Sequence, residues 1–269
     1  MQRKCVYLLA LLLCALNLRA RAQEIPVRHA AGMLHGFLTA HSIDGKIIAE
    51  ADLTQIVRGD RVTTHLVFHF KDGSLDDETT VYTQHGHFRL ISDHHIQRGP
   101  YFPQPMETTI DARSGRVTVR STGKDGKEEV DTEHMKLPPD LANGMTGIVA
   151  QNVLPKGAPE TVSMVVATPK PRLVKLVFTP EGEEPFSIAG FPRKSTRIEM
   201  KIELGGLAGV VAPLIGKQPG NFNLWVLEDE VPVLLKETGY LYQDGPPLTF
   251  YFASPSWPQS ADEKIVTGK

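Results

Sequence analysis

Six of the ten histidines in this 269-residue chain fall between His65 and His95. Imidazole is the side chain best suited to hold a transition metal or to move a proton near neutral pH. His85 and His87, placed on one extended strand, would set two rings on the same face roughly 6.5–7 Å apart, near enough for a shared ion, and Asp93 would add an oxygen. His65 and His69 would share a face but lie roughly 13 Å apart, while His94 and His95 would point to opposite faces. No H-E-x-x-H run and no cysteine framework completes a metal site. No metal site is therefore assigned; His85 and His87 are the weak candidates, and the plainer expectation is polar side chains on the outer faces of neighbouring strands. Asp76-Asp77-Glu78 lacks the spacing of a calcium loop and reads as a solvated hairpin tip. The acids show no recognisable general acid/base pair, and Ser187 and Ser195 lack the glycines of a nucleophile elbow. No catalytic residue and no cofactor is assigned, so a binding or structural role is favoured over an enzyme.

Two apolar stretches suggest binding. Leu137–Leu154 reads as the one helix, with Leu141, Met145, Ile148 and Val149 on a single face. Asp140 would cap its first turn, and Asn152 with Pro155 would stop it. Gly144 and Gly147 inside it cost about 1 kcal/mol each relative to Ala, so it needs a sheet to lie on. With helical dihedrals and room for a methyl, Gly144→Ala is expected to stabilise by about 0.4–1 kcal/mol. The segment 205–220 carries five glycines, two prolines and the apolar set Leu207, Val210, Val211, Leu214 and Ile215. It fits neither a phosphate-binding loop nor a dinucleotide fingerprint. It reads as a buried connection, or as an apolar flap that meets an acyl chain. The helix face and this flap are the candidate cavity and lid.

The rest of the chain must supply the sheet. Val62, Thr64, Leu66, Phe68 and Phe70 alternate with Thr63, His65, Val67 and His69. Ile198, Met200, Ile202 and Leu204 alternate with Arg197, Glu199, Lys201 and Glu203. Such period-two patterns mark strands with one dry face and one wet face, as antiparallel sheets have. About a dozen short strands with turn-type connections predict a mainly β fold. The expected form is one large curled antiparallel sheet, a half-open barrel with the helix across its concave face. A β-sandwich is the alternative.

The N-terminus reads as an address. Arg3 and Lys4 precede the apolar run Val6–Leu16, and Ala20-Arg21-Ala22 supplies a cleavage signal. The expected organisation is a signal peptide over 1–22, one β-rich domain over 23–253 and a flexible tail over 254–269. Both cysteines, Cys5 and Cys14, lie in the leader, so the remainder has no disulfide. With no small residue just before Cys14, lipid attachment is not expected. Four of the 29 Lys/Arg and none of the 31 Asp/Glu fall in the leader, leaving 25 basic against 31 acidic residues, a balance of −6. That excess of acid argues against nucleic acid as a partner. No later segment is apolar enough over sufficient length to cross a bilayer as a helix. Export to the periplasm or cell envelope follows as the expected localisation.

Leu224-Trp225, Asp229 and Pro232-Val233 resemble the ending of a family of exported bacterial proteins of uncharacterised function, in which a Leu-Trp strand, an acidic turn and a Pro-Val strand lead into the last hairpin. That family is similar in fold to periplasmic lipoprotein carriers, open antiparallel half-barrels closed by helices. The resemblance implies a half-barrel with Leu137–Asn152 as its lid. The expected function is non-enzymatic binding of a lipid-like or lipidated ligand in an apolar cavity. The alternatives are a structural or assembly factor with an envelope protein partner, and a metal-assisted hydrolase built on the His65–His95 group.

Overall fold

The computed structural model describes residues 24–123, 126–167, 170–188, 190–204, 220–229 and 231–252. The expected signal peptide, the tail over 254–269 and Leu207, Val210, Val211, Leu214 and Ile215 of the expected flap lie outside these residues.

Alternating side chains build fourteen strands. The first eight are β1 (Leu34–His41), β2 (Ile47–Arg58), β3 (Arg61–Phe70), β4 (Leu75–His85), β5 (His87–Arg98), β6 (Met106–Asp111), β7 (Arg116–Thr122) and β8 (Glu128–His134). The helix α1 (Thr146–Asn152) follows. The remaining strands are β9 (Glu160–Val166), β10 (Arg172–Ile188), β11 (Phe191–Glu203), β12 (Phe222–Leu227), β13 (Val233–Gly239) and β14 (Leu248–Phe252). They form one sheet in the order β8-β7-β6-β5-β4-β3-β2-β1-β14-β13-β12-β11-β10-β9. Two antiparallel meanders are thus joined where β1 pairs with β14, and the ends β8 and β9 are left unpaired with each other. A single sheet excludes the sandwich.

The sheet curls. Val62, Tyr82, Leu90, Ile110 and Val117 of one meander share a core with Val162, Leu176, Phe178, Ile198 and Leu224 of the other. Those strands are far apart along the sheet, so their inner faces meet only across a concavity. Leu141, Met145 and Val149 enter that core, and Ile148 packs against it. A second apolar cluster, with Ala40, Ala49, Phe68, Phe70, Phe102 and Phe250, fills the other end. β10 runs unbroken over seventeen residues in spite of Pro180 and Pro185. A bulge between Pro180 and Gly182 absorbs the proline without ending the pairing with β11. No helix among the described residues is long and apolar enough to cross a membrane.

The helix is shorter than its sequence suggests. It covers seven residues, with Met145 at its N-cap and no side-chain cap. Asp140 caps nothing. Its carboxylate accepts hydrogen bonds from Ser163 Oγ at 2.9 Å and Lys175 Nζ at 2.9 Å, fastening the approach to the helix onto β9 and β10. Backbone bonds from Ala142 to Ser163 and from Ser163 to Asp140 extend this attachment along the edge of β9. The cause of the late start is Gly144, whose φ of +63° lies in the left-handed region closed to a continuing helix. At the other end Asn152 stops the helix. Its side-chain oxygen accepts the backbone N–H groups of Arg28 (2.9 Å) and His29 (2.8 Å), and its amide donates to Ile148 O and His29 O.

The expected stabilisation by Gly144→Ala is therefore overturned. A Cβ at residue 144 would lie 1.8 Å from Thr80 Oγ1 and 2.8 Å from Asp93 Oδ1. Gly144→Ala combines a strained backbone with a clash against a buried pair, and it should destabilise the protein by about 2 kcal/mol or more. Urea unfolding of the two proteins checks this, and an alanine variant as stable as the parent would refute it.

Candidate functional site

The two apolar ends of the concavity are separated by a polar layer. On β4 the inward residues are Asp76, Glu78, Thr80 and Tyr82, which pair with Phe68, Leu66, Thr64 and Val62 of β3. On β5 they are Asp93, His95 and Gln97, opposite Thr80, Glu78 and Asp76. Asp76, Thr80, Asp93 and Gln97 are all 5% exposed or less. Burying polar groups is tolerated only where each finds a partner, and these do. Asp76 accepts His95 Nε2 at 3.0 Å on one oxygen and Gln97 Nε2 at 2.8 Å on the other. Gln97 also donates to the carbonyl of Leu241 at 2.8 Å. Thr80 Oγ1 donates to Asp93 Oδ1 at 2.7 Å, and Gly144 closes over that pair. The second ring nitrogen of His95 lies 4.0 Å from Glu78 Oε1.

The far wall adds another carboxyl. Glu237 on β13 sits between Leu224 of β12 and Phe250 of β14, all facing inward. It is near enough for its charge to contribute to raising Glu78. Burial pushes Glu78 up to about 8, helped by Asp93, Asp76 and Glu237 and opposed by His95. Burial alone pushes Glu237 up to about 7. Asp93 is raised by burial in spite of the Thr80 hydroxyl and the nearby imidazoles. Burial lowers the pKa of His95, but its hydrogen bond to Asp76 and the charges of Glu78, Asp76 and Asp93 outweigh that and raise it to about 10. The layer thus holds an imidazolium among carboxyls, of which Glu78 and Glu237 exchange protons near neutrality.

The middle of the layer keeps access to solvent. The Glu78 and His95 side chains are 25% and 28% exposed, and Glu237 is half-buried. They continue a row in register across the inner face, Leu53–Leu66–Glu78–His95. Leu53 and Leu66 are half-buried too, as are Leu38 and Phe252. The concave face is dry at both ends and partly exposed between them, where four apolar side chains stand beside three ionisable ones. A separate groove of about 570 Å³ lies on the outer face, between the side chains of Phe37, Glu50, Asp52, His69 and Lys71.

The histidines distribute otherwise than their spacing suggests. His85 and His87 do not share a strand. Gly86 (φ +69°) turns the chain between them, so they end β4 and begin β5 as a cross-strand pair. They lie beside different acids, His85 with Asp60 at 3.2 Å and His87 with Glu24 at 3.5 Å. His65 meets Asp77 on the outer face at 2.9 Å. Among the described residues no three His, Cys, Asp or Glu side chains converge as a metal site. Asp76, Asp77 and Glu78 are not a solvated tip but part of β4, with Asp76 and Glu78 inside.

Sequence reasoning missed the layer because of one extra residue. Tyr82 pairs with Leu90, but Val81 pairs with Ser92, so Ile91 is a bulge. Counting by twos from Phe88 and Leu90 puts His94 inside. The bulge inverts the parity and brings in Asp93, His95 and Gln97 instead. The available signal was two adjacent polar alternations, D-x-E-x-T at 76–80 and D-x-H-x-Q at 93–97.

No family model matches this chain, and no curated protein matches it. Among solved structures, the chain is similar to a β-barrel-like protein of the domain of unknown function DUF1849 from Brucella abortus. The TM-score is 0.44 at 7% identity, over 85% of this chain and all of that one.

The layer has one pH signature. Glu78 and Glu237 are raised from an ordinary value of 4.5, and His95 from 6.5. In each case the folded protein holds its proton more tightly than the unfolded chain, so the stability this gives is complete at low pH and is lost as pH rises through the folded values. The carboxyl contribution fades between about 4.5 and 8, and that of His95 between about 6.5 and 10. The exposed acids Asp44, Asp111 and Glu183 have lowered values and act oppositely, but only in acid. The melting temperature should fall steadily from pH 5 to pH 9, and Glu237→Gln should flatten the fall below about pH 7. A melting temperature that climbs over this interval would refute the assigned protonation.

Proposed function

We propose that the protein is an exported, non-enzymatic binding protein of the periplasm or cell envelope that takes a lipid-like or lipidated ligand into the waist of its half-barrel. The observation that carries this reading is the mixed, accessible row on the concave face. Leu38, Leu53, Leu66 and Phe252 offer apolar surface, and Glu78, His95 and Glu237 offer hydrogen bonds and charge beside it. Ligand sites are concave, mostly apolar and carry a few placed polar groups. An amphipathic molecule matches both parts, its chain on the leucines and its polar end on the layer. Leu141, Met145, Ile148 and Val149 would act from one side, holding the helix that roofs the site rather than swinging with it, since Asp140 and Asn152 fasten both of its ends. Leu207, Val210, Val211, Leu214 and Ile215 remain the proposed apolar flap.

Two observations support export. The leader has the signal pattern. Glu24 and Ile25, just past the expected cleavage point, are already engaged: Glu24 pairs with Arg89 at 2.6 Å, and Ile25 is buried in the core. A folded chain that uses these residues is compatible with removal of 1–22.

The test is displacement of a fluorescent fatty acid and of a fluorescent lysophospholipid from residues 23–269. The protein should bind at least one of them, and Leu66→Glu, which sets a charge in the apolar part of the row, should weaken binding at least tenfold without unfolding the protein. If neither probe binds the parent protein, the carrier reading fails.

A further inference from the structure

The two ends of the sheet are treated differently. The edge of β9 is covered by the chain's own segment at 140–143, through the Ser163–Asp140 and Ala142–Ser163 backbone bonds and the Asn143 side chain, which bonds both the N–H and the C=O of Val165. The edge of β8 has no such cover: among the described residues β8 pairs with β7 alone. Its hydrogen-bonding parity is fixed by two bonds, Met135 N–H to Gly115 O and Gly123 N–H to Lys127 O. Odd-numbered residues therefore face β7, and the backbone groups of Glu128, Val130, Thr132 and His134 point out from the free edge. Val130 is 53% exposed.

The side chains along this edge carry one sign. Glu129, Asp131 and Glu133 lie opposite Ser121, Val119 and Val117 and so project from the concave face at spacings of roughly 6.5–7 Å. Glu128 projects from the convex face, where Arg120 approaches to 3.6 Å. A second copy laid antiparallel on the same edge would set these carboxylates against one another, which disfavours self-pairing. An extended segment with Lys or Arg at alternate positions meets the opposite condition. Its backbone satisfies the outward groups of four residues, its basic side chains meet three carboxylates, and its intervening residues lie beside Val130.

We propose that β8 is a docking edge for a partner protein, which adds a basic, alternating strand to the sheet. This surface is separate from the waist of the barrel and stands or falls without it. Strand addition draws affinity from main-chain hydrogen bonds and specificity from alternate side chains, and β8 supplies both.

The probe is a synthetic peptide alternating Lys with Val and Thr, compared with its Glu counterpart, titrated against residues 23–269 by fluorescence anisotropy at low and moderate salt. The Lys peptide should bind, more weakly as salt rises, and the Glu peptide should not. Amide exchange should slow at Val130, Thr132 and His134. Val130→Pro removes an outward N–H without touching a bond to β7, and it should reduce binding at least tenfold while leaving the melting temperature nearly unchanged. Asp131→Lys with Glu133→Lys should exchange the preference between the two peptides. The proposal is overturned if the Lys peptide fails to bind, or if Val130→Pro binds it as well as the parent does, since attraction would then be charge without strand pairing.

Discussion

Burying carboxyl groups on the inner face of a sheet is the constraint from which most of this structure follows. A dry carboxylate costs several kcal/mol unless charge and hydrogen bonds compensate it. Asp76 has both: an imidazolium on one oxygen and an amide on the other. Asp93 has the Thr80 hydroxyl and takes a raised pKa. Each partner is then committed in turn. Gln97 ties the layer to the loop at Leu241, and Thr80 and Asp93 leave room above them only for a glycine.

That last requirement shapes the helix. Gly144 turns the chain down onto the pair in a left-handed conformation, so α1 cannot begin before Thr146. Seven residues without a side-chain cap make a poor helix in isolation, and its stability comes from attachments. Asp140 is fixed to β9 and β10, Asn152 to the N-terminal segment, and Arg28 continues that link to Glu160 at 2.8 Å. The segment at Arg28-His29, the helix and β9 with β10 are thereby one hydrogen-bonded unit across the mouth of the half-barrel. The acids of the layer and the short helix are two sides of one arrangement: the chain that covers the layer is held by polar anchors at its ends because its middle must be small.

The same alternation that fills the interior governs the edges. An unclosed sheet has two free strands, and each is a site for unwanted pairing unless covered or charged. The β9 edge is covered by the approach to the helix, and the β8 edge is charged.

Composition and periodicity by themselves determined that this chain is mainly β, that its strands are antiparallel with one dry face, and that a single amphipathic helix needs a concave surface. Those properties are local: a residue's neighbours two or four positions away report its face. They placed Leu141, Met145 and Val149 in the core and sent His94 and His95 to opposite faces. Other features were decided only by tertiary contact. A single bulge at Ile91 reverses which half of β5 points inward, which only the pairing with β4 reveals. Gly86 separates two histidines that spacing alone would join. Gly144 reads as a weak helical residue until Thr80, 64 positions earlier, is seen beneath it. The layer of Asp76, Glu78, Asp93, His95 and Glu237 exists because the sheet curls, and the protons on Glu78, Asp93 and His95 are held according to the charges around them.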